Sequence, residues 1–104
     1  MARNPLLKAL RPVHPGELLR EVVLPALGRP KAEIARLLGV SRQTLYDVLN
    51  EKQPITANLA LRIAKLVGDD ADNWLTMQKN YDLDVAERAL AKTIKRIPTL
   101  EAAE

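Results

Sequence analysis

The 104-residue sequence predicts an all-α fold of five to six helices, and three observations carry that prediction. Apolar residues recur three and four positions apart through successive stretches, the spacing of one helix face rather than the alternation of a strand. Helix starts and stops separate those stretches, with Ser41 and Thr56 at starts and Gly28, Gly39 and Gly68 at stops. The chain has no Phe and only 3% aromatics, so Leu, Ile, Val and Ala must fill the core, which suits packed helices better than a sheet.

Residues 1–13 mix basic, apolar and proline residues without a long period and read as an N-terminal arm. The run His14-Pro15-Gly16-Glu17 opens the first helix, with Pro at the first helical position and Glu facing the positive dipole end. Leu18, Leu19, Val22 and Val23 supply its apolar stripe, Pro25 bends or ends it, and Leu27-Gly28 closes it. The second helix begins near Pro30, presents Ile34, Ala35, Leu37 and Leu38, and stops at Gly39. Ser41 caps the third, which turns Leu45, Val48 and Leu49 inward and ends near Asn50. The polar Glu51-Lys52-Gln53-Pro54 breaks the pattern, and Thr56 caps a fourth helix carrying Leu59, Ala60, Ile63, Ala64 and Val67. Asp69, Asp70 and Asp72 stand where a helix N-terminus welcomes carboxylates, and the fifth helix then carries Trp74, Leu75, Gln78 and Tyr81. A further apolar series from Val85 to Ile97 is either a sixth helix or a continuation of the fifth. Pro98 ends it, leaving 98–104 as a flexible tail beyond a domain of residues 14–97.

Composition narrows the function classes. Absent cysteines exclude a disulfide framework and a thiolate metal site. No apolar run approaches the roughly 20 residues that span a bilayer, and the N-terminus lacks the apolar segment of a signal peptide, so a cytoplasmic protein is expected. The net charge of +3 is unevenly spread: residues 1–66 carry +6 and residues 67–104 carry −3. The basic part suits a polyanion, and the acidic part suits itself or a basic protein.

The segment from Lys31 to Asn50 carries the function. Ala35 is small where the second helix must approach the third, Gly39 sits at the bend, and Val40 plugs the turn. Ile34, Leu38, Leu45 and Val48 form the inner face, and the whole is the pattern of a DNA-binding helix-turn-helix, lambda-repressor-like in architecture. Outward on the third helix stand Ser41, Arg42, Gln43, Tyr46, Asp47 and Asn50. Arg42 and Gln43 lie in the first turn, the part that enters a major groove. Arg suits O6 and N7 of guanine, Gln suits N6 and N7 of adenine, and Thr44 or Tyr46 suits a thymine methyl. Ser41 and Lys31 are placed for phosphates, as are Asn50 and Lys52 at the helix end. Asp47 reads as a surface ion pair, since phosphate repels it.

The His14-Pro15-Gly16-Glu17 start, the Gly39-to-Thr44 turn and helix, and the later Trp74-Leu75…Gln78…Asn80-Tyr81-Asp82-Leu83 occur in the same order in HigA-type antitoxins, which the chain resembles over about residues 13–97. These are helix-turn-helix proteins of the Xre/Cro superfamily. The resemblance implies a homodimer that binds double-stranded operator DNA at its own promoter and neutralises a small basic toxin, a RelE-like mRNA endonuclease. One departure stands out: Pro30 and Lys31 replace the Ser or Thr cap and Gln that usually open the second helix, which favours phosphate anchoring over base reading there.

No residues suggest an enzyme or a cofactor. His14 lacks a triad partner and fits a helix start. The aspartates lack the spacing of a calcium loop, and Gly28 sits in no phosphate-cradling loop. The chain after Gly68 is free to build the dimer, with Leu90, Ile94 and Ile97 as its contacts. The alternative function is a stand-alone Xre-type transcriptional regulator without a toxin partner.

Overall fold

The computed structural model describes residues 11–102, among which five helices occur and no strand. Helix α1 runs through three consecutive segments, Pro15–Leu18, a π-helical Leu19–Val23, and Leu24–Leu27. Helices α2 (Lys31–Leu38) and α3 (Arg42–Leu49) follow across a tight turn, then α4 (Ala57–Val67) and a long α5 (Ala71–Arg96). Most of the proposed arm, residues 1–10, and the end of the proposed tail, residues 103 and 104, lie outside the described residues.

Helix α1 shows why Pro25 does not end it. A proline lacks the N–H for the carbonyl one turn back, and its ring collides with that carbonyl. The preceding turn widens instead: the Leu24 N–H bonds the Leu19 carbonyl, five residues back, and the helix continues to Gly28. The widened turn also shifts the inward register. Val22, expected on the apolar stripe, is 56% exposed, and Leu24 is buried in its place beside Leu19. Leu37 of α2 is likewise exposed, because α4 covers the face bearing Ile34, Ala35 and Leu38.

Those residues join Leu45, Val48 and Leu49 of α3, Leu59, Ala60 and Ile63 of α4, and Trp74 of α5 in one core. Each buried Leu, Ile or Val contributes about 1.5–3 kcal/mol of transfer free energy. Ile55, in the loop before α4, is just as buried and escaped the sequence reading because it belongs to no periodic stretch.

Helix α5 resolves the open question at the C-terminus: Val85 to Arg96 continue it without a break. Its first half packs on α4 and α1, burying Trp74 and Gln78. From Val85 onward every described residue is exposed, so the second half projects from the core. The whole helix is about 39 Å long at 1.5 Å per residue.

Candidate nucleic-acid interface

The α2–α3 turn follows from its residues. Gly39 adopts φ 74°, a left-handed conformation cheap only for glycine, which lets its N–H bond the Arg36 carbonyl and the Val40 N–H bond the Ala35 carbonyl. The Leu38 carbonyl accepts from Arg62 Nη1 at 2.9 Å, and Arg62 Nε donates to Asn58 Oδ1, so α4 clamps the end of α2. A Cβ on Gly39 would stand 2.8 Å from that guanidinium.

Ser41 then starts α3 as its cap. Its Oγ accepts from the Thr44 N–H at 3.0 Å and donates to Thr44 Oγ1 at 2.9 Å. The Thr44 hydroxyl thereby faces back toward the cap. Arg42 and Gln43 are exposed in the first turn, and Arg42 has no ion pair among the described residues. Tyr46 is 40% exposed with the Lys31 ammonium 5.6 Å from its ring centroid, a cation–π contact joining the start of α2 to the middle of α3. Asp47 is not ion-paired as expected: its carboxylate accepts from Gln43 Nε2 at 2.7 Å and from Gln53 Nε2 at 3.4 Å. Gln53, absent from the sequence-predicted site, comes back because Glu51 takes a left-handed φ of 62° and reverses the chain. Asn50 and Lys52 are exposed at the far end of α3, whereas Leu90, Ile94 and Ile97 lie on and just past the projecting half of α5.

The end of α3 is held from two sides. Arg20 of α1 donates from Nη1 to the Leu49 carbonyl at 2.7 Å and pairs with Glu51 at 3.5 Å. From α5, buried Gln78 accepts the Ile55 N–H at 2.8 Å and donates to Asp82 at 2.9 Å. His14 connects the two supports. It caps α1 through Nδ1, which accepts the Gly16 N–H at 2.9 Å, and its ring meets Tyr81 edge-on with centroids 5.1 Å apart. Burial pushes the imidazole below its ordinary 6.5, against the opposing pull of Glu51, Asp82 and a backbone hydrogen bond at Gln53.

The family model for the helix-turn-helix matches residues 19–68, from the widened turn of α1 to the end of α4. Antitoxin HigA-1 of Vibrio cholerae is 33% identical over 73 residues, 70% of this chain and 69% of that protein. The chain belongs to the HigA-type helix-turn-helix family. Virulence-associated protein I of Dichelobacter nodosus is 42% identical over 76 residues, covering 73% of this chain and 70% of that protein. The Pseudomonas aeruginosa antitoxin HigA, solved with the higBA promoter, superposes with a TM-score of 0.81 at 36% identity, over 88% of this chain and 100% of that one. Within this HigA-type chain the two motifs flanking the helix-turn-helix touch: His14 of the first packs on Tyr81 of the second. Trp74, from the same second motif, donates from Nε1 to both carboxylate oxygens of Asp69 at 3.0 Å.

Proposed function

We propose that this chain is a DNA-binding antitoxin that represses its own operon as a homodimer and neutralises a small basic RelE-like mRNA endonuclease. The observation that carries the reading is the outward face of α3, where Arg42, Gln43 and Tyr46 stand exposed beside a core-anchored turn. The Pseudomonas aeruginosa HigA, alike over nearly its whole length, was solved with promoter DNA, and its likeness supports the same use of this face. In this reading Arg42 pairs with guanine, Gln43 with adenine, and Thr44 and Tyr46 meet thymine methyls. Lys31, Ser41, Asn50 and Lys52 take phosphates and fix the register. Leu90, Ile94 and Ile97, all large, apolar and exposed, form the contact between two copies. The work is cytoplasmic, where the operator and the toxin are.

Two measurements test it. Fluorescence anisotropy with a duplex from upstream of the chain's own gene should give saturable binding, weakened by about 1–3 kcal/mol and made less selective at one base pair by Arg42→Ala. Unchanged affinity in that variant would count against α3 as the reading helix. Tagged protein recovered from its native host should bring down a stoichiometric small basic nuclease. Recovery with DNA alone would favour the stand-alone regulator.

A further inference from the structure

We propose that Asp47 is a specificity-determining positioning residue, whose carboxylate holds the Gln43 amide in a state that accepts adenine and rejects guanine. The inference rests on the DNA-binding reading above and deepens it.

Asp47 stands one helical turn beyond Gln43 on the same outward stripe of α3, the i,i+4 spacing at which Gln and Asp side chains meet. Oδ1 accepts from Gln43 Nε2 at 2.7 Å, and Oδ2 accepts from Gln53 Nε2 at 3.4 Å. An ionised carboxylate only accepts, so the NH2 end of each amide must face it; chemistry alone fixes which end is nitrogen. The backbone of Asp47 is held by the chain reversal, because the Lys52 and Gln53 N–H groups bond its main-chain carbonyl at 2.8 and 3.3 Å, and the same reversal brings the Gln53 amide to the carboxylate.

A free glutamine amide has two N–H donors and one carbonyl acceptor. With one N–H committed to Asp47, Gln43 retains one donor and its Oε1 acceptor for a base. Adenine offers an N6 donor and an N7 acceptor in the major groove, a matched pair. Guanine offers two acceptors, O6 and N7, and needs both amide protons, one of which Asp47 has taken. The lock also orders a flexible side chain before DNA arrives, so less rotamer entropy is lost on binding. Its cost is a carboxylate facing phosphates, which lowers affinity for any sequence.

The experiment is selection of full-length protein on a duplex pool randomised across one half-site, followed by sequencing, for wild type, Gln43→Ala, Asp47→Ala and Asp47→Asn. Gln43→Ala identifies the base pair that Gln43 reads. In Asp47→Ala the adenine-over-guanine preference at that pair alone should fall about five-fold, the worth of one hydrogen bond, while the pair read by Arg42 keeps its preference. Affinity for random-sequence duplex should rise at the same time. Asp47→Asn should share the rise and weaken the preference, because its amide can turn either its oxygen or its NH2 group toward Gln43 and no longer fixes which end of the glutamine is free. Equal blurring at every position would mean a merely structural role and would overturn the inference, as would an Asp47→Ala profile superimposable on wild type. Thermal melts of each variant identify any that does not fold, and Asp47→Asn then carries the comparison: a full wild-type preference at the Gln43 pair in that variant refutes the lock. If wild type enriches no sequence, the DNA-binding reading fails and this inference with it.

Discussion

At His14 an imidazole performs a task that Ser, Thr, Asp or Asn side chains usually perform, accepting a backbone N–H at the start of a helix. Nδ1 can accept only while it is unprotonated, so the ring is neutral with its hydrogen on Nε2. Because burial lowers the folded pKa below 6.5, the unfolded chain takes up the proton first as the pH falls. The stabilisation is therefore full above pH 6.5 and is lost as the pH drops through the folded value. Urea unfolding midpoints measured between about pH 8 and pH 5 should decline across that window, and His14→Asn, a cap that does not titrate, should flatten the decline. Two residues along, Gly16 is required by contact and not by conformation: a Cβ there would stand 1.9 Å from the Val48 carbonyl oxygen. Gly16→Ala forces α1 off the end of α3 and should cost at least about 1–3 kcal/mol. A melt should show it directly, at roughly 4–8 °C per kcal/mol for a domain this size.

Among the elements, α3 does not stand by itself. It is eight residues long, too short to persist alone, and depends on its cap, its buried face and the two supports at its end. Helix α5 supplies one support through Gln78, whose carbonyl oxygen satisfies the buried Ile55 N–H in the loop that leaves α3. Gln78→Met keeps the shape and removes the acceptor, stranding that N–H at a cost of about 1–3 kcal/mol. Differential scanning calorimetry should register the loss, and hydrogen exchange at residues 50–55 should quicken more than in α2. Helix α1 illustrates a different dependence. Its apolar residues announce a helix, yet the widened turn before Pro25 decides which of them faces inward, so Leu24 is buried and Val22 is not.

For the whole molecule, the projecting half of α5 is the feature a compact monomer does not explain. Val85, Leu90 and Ile94 along it, with Leu83 just before it and Ile97 just past its end, are each between 45% and 63% exposed. Two copies joined along this helix would present two α3 faces, and paired half-sites about 34 Å apart are the usual requirement of such readers. The double variant Leu90→Asp, Ile94→Asp should run as a monomer in light scattering at concentrations where wild type is a dimer. It should keep its helical content, because neither side chain is part of the core, melt without the concentration dependence that a dimer shows, and lose most of its operator affinity. A wild-type protein that is itself monomeric at micromolar concentration would sink the assignment.

The number of helices stayed open between five and six until α5 ran on through Val85, while the order of the helices, the turn at Gly39, the caps at Ser41 and Thr56 and the outward set on α3 were legible from the residues alone. These are local matters: apolar periodicity, left-handed glycine and side-chain-to-backbone caps all act within a few residues, so a single stretch of chain contains the whole signal. Even the motifs that carry the family resemblance were visible, but not the reason they occur together. That His14 packs on Tyr81, that Gly16 lies against Val48 and that Gln78 serves Ile55 became visible in the folded chain alone. Each of those contacts joins residues at least 23 positions apart, and no periodicity encodes a partner at that distance. Asp47 fell between the two: its spacing from Gln43 was legible, but Gln53 reaches it only because the chain reverses at Glu51 in a conformation that glutamate seldom adopts.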